Sequence, residues 1–256
     1  MKVPVSALLF SFICRAARCC RGRLSRLLLA GVTLASWPLP LAARAEEGRS
    51  WSAECDPDTD YAAVIESWKK DNPPDLSPAV TEPDLLARLL ALRDAGQVVR
   101  QNPASIAESM QTDLRNTTAL LSIVEEFGWP TVDVVGEEGA EAAFLVAQHT
   151  IDHAVMRRFR GLVEQELRNG RVPGRHFAYL FDRTEMNNGG LQAYGTQLTC
   201  DMTAGKFIPM PLRDASNVDA LRAAVHMYPL GLYVCSVNQT VGHLCRLPDT
   251  DAPAPE

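Results

Sequence analysis

The chain has 256 residues, and 46% of them are hydrophobic, a content that allows a sizeable core and argues against a wholly disordered protein. The formal net charge is −6, but residues 1–45 contain seven basic side chains and no acidic one. The rest of the chain, with 18 basic and 31 acidic residues, therefore has a net charge of −13. Such a charge repels nucleic-acid phosphates and anionic lipid surfaces, so we expect no nucleic-acid partner.

Residues 1–45 have the features of a secretory signal peptide. Their basic segment leads into a 15-residue apolar run, Leu27 to Leu41, and then to the Ala43-Arg44-Ala45 pattern of a signal-peptidase site. A membrane helix is the competing interpretation, but the run is short and contains Pro38 and Pro40. We therefore expect a periplasmic or secreted protein, with no stable membrane span once the leader is cleaved.

Four cysteines remain after the predicted cleavage. They are Cys55, Cys200, Cys235 and Cys245. An even number in an oxidising compartment predicts two disulfides, and we favour Cys235–Cys245 with Cys55–Cys200, while the other connectivities stay open. A zinc site built from the four thiolates is the alternative, but the chain lacks the C-x-x-C spacing of a zinc knuckle, so no metal is predicted.

The chain after the leader is expected to contain one folded domain with a flanking segment at each end. Residues 46–80 are predicted to be a lead-in segment with one short helix, from Tyr61 to Lys69. Residues 81–247 form the predicted domain, and residues 248–256, rich in Pro and Asp, a disordered tail.

Apolar residues at helical spacing predict three helices in the first half of this domain. The first begins near the capping sequence Thr81-x-x-Asp84 and ends at about Gln101. The second ends at Gly128, two residues before a proline. The third is a long helix from about Glu138 to Arg168, with Phe144 and Ile151 in its core-facing stripe.

The second half of the domain has shorter elements. The sequence Asn187-Asn188-Gly189-Gly190 is typical of a hairpin turn with positive φ. It predicts a strand from Leu191 to Leu198, with a third strand at Phe207 to Met210 and a last helix from Asn217 to about Met227. The predicted fold class is therefore α+β, mostly α: a helical bundle with a small antiparallel β-hairpin or three-stranded sheet late in the chain.

A polar cluster on the long predicted helix contains the first candidate site residues. Gln148, His149, Asp152 and His153 have spacings that could place a metal ligand pair on one side of a helix. The helical angles put His153 nearly opposite the core, however, so we predict neither a metal nor another cofactor. His149 is instead expected to reach into a cleft as a general acid or base.

Two later segments contain the other candidates. Asp182 and Arg183 end an apolar stretch; Asp182 is predicted to be a general base or to orient His149, and Arg183 to bind a carboxylate or phosphate. Tyr194 and Gln197 are predicted ligand-binding residues on a strand. The alternative is structural: Arg183 and Gln197, like Gln148, would be buried struts.

Sequence blocks in a fixed order connect these candidates. They are Gly128-Trp129-Pro130, Gln148-His149, Asp182-Arg183 and Tyr194-Gly195-Thr196-Gln197. Together they resemble a bacterial family of unknown function marked by GWP, QH, DR and YGTQ blocks, over roughly Leu85 to Tyr233. The resemblance implies a shared fold and a shared cleft built from these blocks, but no reaction.

The function predicted from the sequence is therefore broad. We expect a ligand-binding or interaction module of the cell envelope with a polar cleft formed by Gln148, Arg183, Tyr194 and Gln197. Its partner would be a small molecule or an envelope protein. The alternative is a cofactor-independent, hydrolase-like acid/base enzyme that uses His149 and Asp182.

Overall fold

The computed structural model describes residues 55–101 and 106–245, so the predicted leader and tail lie outside the described residues. The described parts are mostly helical and include one small antiparallel sheet, which confirms the predicted α+β class. The helices are α1 (Tyr61–Asp71), α2 (Pro83–Arg100), α3 (Ile106–Phe127), α4 (Val132–His149), α5 (His153–Arg168), α6 (Gly174–Asn187), α7 (Val218–Ala224) and α8 (Leu230–Val241). The strands are β1 (Leu198–Asp201) and β2 (Lys206–Pro209), and a short 3-10 helix, Gly242–Cys245, follows α8.

The five helices from α2 to α6 form the main core. Helix α4 packs against α2 and α3, and α5 packs against α6. The buried apolar side chains that join these helices include Leu89, Leu120, Val135, Phe159 and Leu180. Their burial follows the apolar stripes of the sequence, and the predicted short helix, the helix up to about Gln101 and the helix that ends before Gly128 are all confirmed.

The long helix predicted from Glu138 to Arg168 is wrong, because the chain breaks between α4 and α5. Asp152 has an extended backbone and caps α5: its carboxylate accepts hydrogen bonds from the N–H groups of Ala154 (2.8 Å) and Val155 (3.1 Å). Ile151, predicted to lie in the core, is 42% exposed. The cap satisfies N–H groups that a continuous helix would have bonded to its preceding turn.

The turn predicted at Asn187-Asn188-Gly189-Gly190 is also wrong, because this sequence ends α6 instead of joining two strands. Gly189 does adopt a positive φ of 77°, and the N–H of Gly190 donates to Glu185 O at 2.9 Å, as at a helix C-terminus. The predicted strand from Leu191 to Leu198 is wrong as well, since β1 begins only at Leu198 and Gln192 makes one isolated bridge.

The small sheet is a hairpin of β1 and β2. Leu198 pairs with Pro209 and Asp201 with Lys206, so the strand predicted at Phe207 to Met210 is confirmed within one residue. Helix α8 packs on this hairpin and forms a second core with it. The helix predicted from Asn217 is confirmed as α7, whereas α8 was not predicted.

Two disulfides connect segments that are distant in sequence. Cys55 pairs with Cys235 on α8, and Cys200 on β1 pairs with Cys245 on the 3-10 helix. The favoured pairing of Cys235 with Cys245 and of Cys55 with Cys200 is therefore wrong. Cys235 and Cys245 are ten positions apart along two consecutive helices, which separates their Cα atoms by about 15 Å, too far for a disulfide. The pairs that do form have Cα–Cα distances of 5.3 and 5.4 Å.

A buried histidine joins α4 to α6. The Nε2 atom of His176 lies 2.8 Å from Glu141 Oε2, and its ring stacks on Phe144 with 4.4 Å between the ring centroids. Burial lowers the pKa of His176 to about 4, so the imidazole is neutral at neutral pH. The bundle thus buries the His176 imidazole in its uncharged form.

Among the described helices, none has the length and apolar content to cross a bilayer.

Candidate functional site

Arg183 brings three of the predicted site residues together. Its Nε and Nη2 atoms donate to Gln197 Oε1 at 3.2 and 3.1 Å, and Nη1 donates to the backbone carbonyl of Gln148 at 2.6 Å. Burial lowers the pKa of the guanidinium to about 10, so it stays charged at neutral pH. These contacts connect α6 with the last turn of α4 and with the segment before β1.

Asp182 holds the chain segment that follows α6. Its fully buried carboxylate accepts hydrogen bonds from the N–H groups of Ala193 (2.7 Å), Tyr194 (3.0 Å) and Thr196 (2.9 Å), and from the Thr196 hydroxyl (2.9 Å). Burial raises the pKa of this carboxyl, and the same hydrogen bonds act in the opposite direction. The segment therefore winds around a carboxylate and does not extend as a strand.

Gly195 makes this winding possible. Its φ of 67° lies in the left-handed region, and a Cβ built on it would come within 2.7 Å of the Leu230 side chain. The ring of Tyr194 packs edge-on against Phe177 and Phe181, with centroid distances of 6.2 and 5.8 Å. The structure thus places Tyr194 among aromatic rings of α6.

Asp182 and His149, the predicted catalytic pair, face different surroundings. Both carboxylate oxygens of Asp182 bind the segment 193–196. Among the described residues, no hydrogen bond joins this carboxylate to the imidazole of His149. His149 instead lies in the wall of a cleft between α2, α3 and α4, which we name the α2–α4 cleft.

The α2–α4 cleft is small and partly open. It contains about 210 Å³ of empty space, a volume that includes its open mouth. Its enclosed part has room for about one water molecule. The polar residues of its wall are Arg93, Gln97, Arg100, Asp113, Asn116 and His149.

Arg100 and Asp113 form a buried ion pair in this wall. Arg100 Nη2 lies 2.6 Å from Asp113 Oδ1, and the side chains are 4% and 12% exposed. Arg100 Nη1 donates to the carbonyl of Gly96 at 2.6 Å, whereas Nε is buried and has no hydrogen-bond partner among the described residues. Burial raises the pKa of Asp113 in spite of the hydrogen bond and charge of Arg100. The guanidinium is thus held through Nη1 and Nη2, and its Nε–H group is unpaired within the part of the chain that the structure describes.

His149 is the second wall residue with an unused polar atom. Its Nε2 atom is buried, and no residue within 55–101 or 106–245 forms a hydrogen bond with it. Burial, followed by the positive charges of Arg100 and Arg183, holds the pKa of His149 well below its usual range, so the ring is neutral at neutral pH. Asn116 completes this side of the cleft and donates from Nδ2 to the Leu92 carbonyl at 2.9 Å.

The other polar residues near the end of α4 do not extend this cleft. Asp152 caps α5, and His153 is exposed at the first position of that helix. Within residues 55–101 and 106–245, no group of three or more His, Cys, Asp or Glu side chains could hold a metal ion.

Arg100 and Asp113 were missed by reasoning from the sequence. Both belong to amphipathic helices whose charged residues resemble an ordinary solvated face. The available signal was Gly96 in the interior of a helix, which is unfavourable unless another group approaches closely. A Cβ at Gly96 would lie 3.0 Å from Arg100 Nη1.

Comparison with known proteins relates the chain to one family. Searches against curated proteins and against solved structures give no significant match. The model described as "Family of unknown function (DUF6624)" matches residues 83–245, a range that contains the whole α2–α4 cleft. Because this match covers more than half of the chain, the protein belongs to the family of unknown function DUF6624.

Proposed function

We propose that this protein is exported and binds a small polar molecule in the α2–α4 cleft. The observation that carries the proposal is the pair of unused buried atoms in its wall, Arg100 Nε and His149 Nε2. Most buried polar atoms have a hydrogen-bond partner, because leaving one unpaired costs about 1–3 kcal/mol. A guest molecule with oxygen acceptors would pair with both atoms once the side chains that cover them move aside to admit it.

Export is supported by two separate features. The first 45 residues have the basic, apolar and small-residue order of a secretory leader. The four cysteines beyond it form two disulfides, which are compatible with the oxidising conditions of a periplasm or an extracellular space.

The remaining predicted site residues have a positioning role in this proposal. Arg183 binds the carbonyl of Gln148, the residue directly before His149, and is in turn held by Gln197. Asp182, next to Arg183 on α6, orders the segment that leads to Gln197. These residues therefore fix the end of α4 and with it the imidazole that faces the ligand.

An acid/base enzyme is the second candidate, and the neutral His149 ring with an unused nitrogen favours it. A general base works best with a pKa near the operating pH, however, and burial and cations hold this pKa well below neutrality. Ligand binding without turnover therefore agrees better with the site. NMR spectra of small polar compounds after long incubation with the protein separate the two candidates, since an enzyme converts a compound that it binds into a product.

We expect ligand binding at the cleft to raise the melting temperature of the disulfide-bonded protein. A thermal-shift panel of anionic, neutral and cationic small polar molecules should contain a stabilising class, because a ligand at a hundred times its Kd adds about 2.7 kcal/mol. Arg100→Gln should abolish the shift. Arg168→Gln, which removes an exposed arginine paired with Glu164, is the matched control and should keep it. A panel without any stabilising compound, or equal shifts in both variants, would contradict the proposal.

Export is expected to remove residues 1–45. When the full chain is expressed in a Gram-negative host, the periplasmic protein should begin at Glu46, as read by intact-mass spectrometry. Ala45→Phe should block cleavage and leave the leader attached, because signal peptidase requires a small residue there. Ala42→Phe, outside the small-residue pattern, is the control. Full-length protein confined to the cytoplasm would refute export.

A further inference from the structure

The unused atoms of the α2–α4 cleft restrict the chemistry of its ligand. We infer, building on the proposed function, that the ligand presents a carboxylate on a short aliphatic stem to Arg100 and His149. A guanidinium has N–H donors and no acceptor, so the atom that meets Arg100 Nε must be an acceptor. Its Nη1 and Nη2 atoms already bind the Gly96 carbonyl and Asp113, which leaves Nε for the ligand.

A second acceptor fits the neighbouring histidine. A neutral imidazole has one N–H, and the tautomer with the proton on Nε2 would donate to a ligand oxygen. Two oxygens on one carbon could then accept from Arg100 Nε and from His149 Nε2. An amide has one oxygen and an NH2 group, and this NH2 group would face a donor.

The charges around the cleft favour an anion. Among the described residues of the wall, Arg93 and Arg100 stand beside one acidic residue, Asp113, which is already paired with Arg100. Arg183 contributes further positive charge at the end of α4, where it binds the carbonyl before His149. This positive excess would stabilise a carboxylate by electrostatic attraction and would repel an ammonium group.

The size and the apolar part of the wall restrict the ligand further. Leu92, Leu145 and Val146 line the cleft beside the polar residues and would contact an aliphatic stem. The enclosed space is only that of about one water molecule, which suits a planar carboxylate better than a tetrahedral phosphate. A phosphate would also bring a second negative charge close to Asp113.

The inference is tested with acetate and propionate as probes. Calorimetric titration of the mature, disulfide-bonded protein at constant ionic strength should show binding of both, with acetamide at least about tenfold weaker. Methylammonium and inorganic phosphate should not bind. In 15N-detected histidine NMR spectra, acetate should shift the Nε2 resonance of His149 and leave that of His243 unchanged.

Matched variants assign the binding to the cleft. Arg100→Lys keeps the positive charge but removes the Nε donor, and it should weaken acetate binding about tenfold, whereas Arg168→Lys should leave it unchanged. If Arg100→Lys unfolds the protein, His149→Phe is the second variant, and it should cause a similar loss.

The failures of the two proposals are distinguishable. If acetamide, methylammonium or phosphate binds at the cleft more tightly than acetate, the carboxylate inference is wrong and small-molecule binding stands. Acetate binding that is equal in the Arg100 and Arg168 variants, or that chloride matches, also overturns the inference. If no compound of any class binds, both proposals fail.

Discussion

Replacing Asp182 with alanine is expected to destabilise the protein by about 3–5 kcal/mol, close to the largest effect of any single substitution here. Three backbone N–H groups and the Thr196 hydroxyl would lose their acceptor inside the fold. Water has little access to replace it, because Asp182 is fully buried. Denaturant unfolding of the disulfide-bonded protein measures the loss directly.

Asp214→Ala is the matched control for this substitution. Asp214 also accepts hydrogen bonds from a backbone N–H and a hydroxyl, those of Ser216, but it is exposed. Solvent can replace these bonds, so the expected loss is below about 1 kcal/mol. Equal losses at the two positions would show that Asp182 does not hold the segment 193–196. Unchanged stability with lost ligand binding would instead support a functional role of this carboxylate.

The helices of the first half could be predicted because their information is local. Apolar residues repeat along α2 and α3 at helical spacing, and residues of this face, such as Leu89 and Leu120, lie in the main core. The break between α4 and α5 could not be read in this way, because the apolar spacing continues across it. A single capping side chain, Asp152, sets that boundary, and its effect competes with the periodic pattern.

The errors after α6 have a related origin. A sequence with two glycines allows positive φ both in a hairpin and at a helix end, so Gly189 and Gly190 alone do not decide between them. The alternating residues after Leu191 suggested a strand, but a carboxylate from α6 collects their N–H groups. Such long-range partners leave no periodic trace in the sequence.

Long-range partners also explain why the sequence indicated only part of the candidate site. Arg183, Gln148 and Gln197 come together, but their polar groups bind one another and do not line the α2–α4 cleft. His149 lies beside a different pair, Arg100 and Asp113, which come from two other helices. Residue type singled out the histidine, whereas its partners depend on how α2, α3 and α4 pack together.

The Cys55–Cys235 disulfide is expected to contribute about 5 kcal/mol to stability, and its removal is the largest loss that we predict. It closes a loop with a sequence separation of 180 residues, against 45 for Cys200–Cys245, so the unfolded chain loses more entropy from it. The double variant Cys55→Ser, Cys235→Ser should therefore unfold at lower denaturant than the double variant Cys200→Ser, Cys245→Ser.

The same bond is expected to keep α1 attached to the fold. Besides the disulfide, the described contacts of this segment with α8 include hydrogen bonds of Gln239 with the N–H of Tyr61 (3.2 Å) and the carbonyl of Thr59 (2.8 Å). Two such bonds at a partly exposed site stabilise weakly, so the variant without Cys55–Cys235 should be cleaved by protease between α1 and α2 first. Cleavage at the same rate in both double variants would show that packing of Tyr61 and Ile65, and not the disulfide, holds this segment in place.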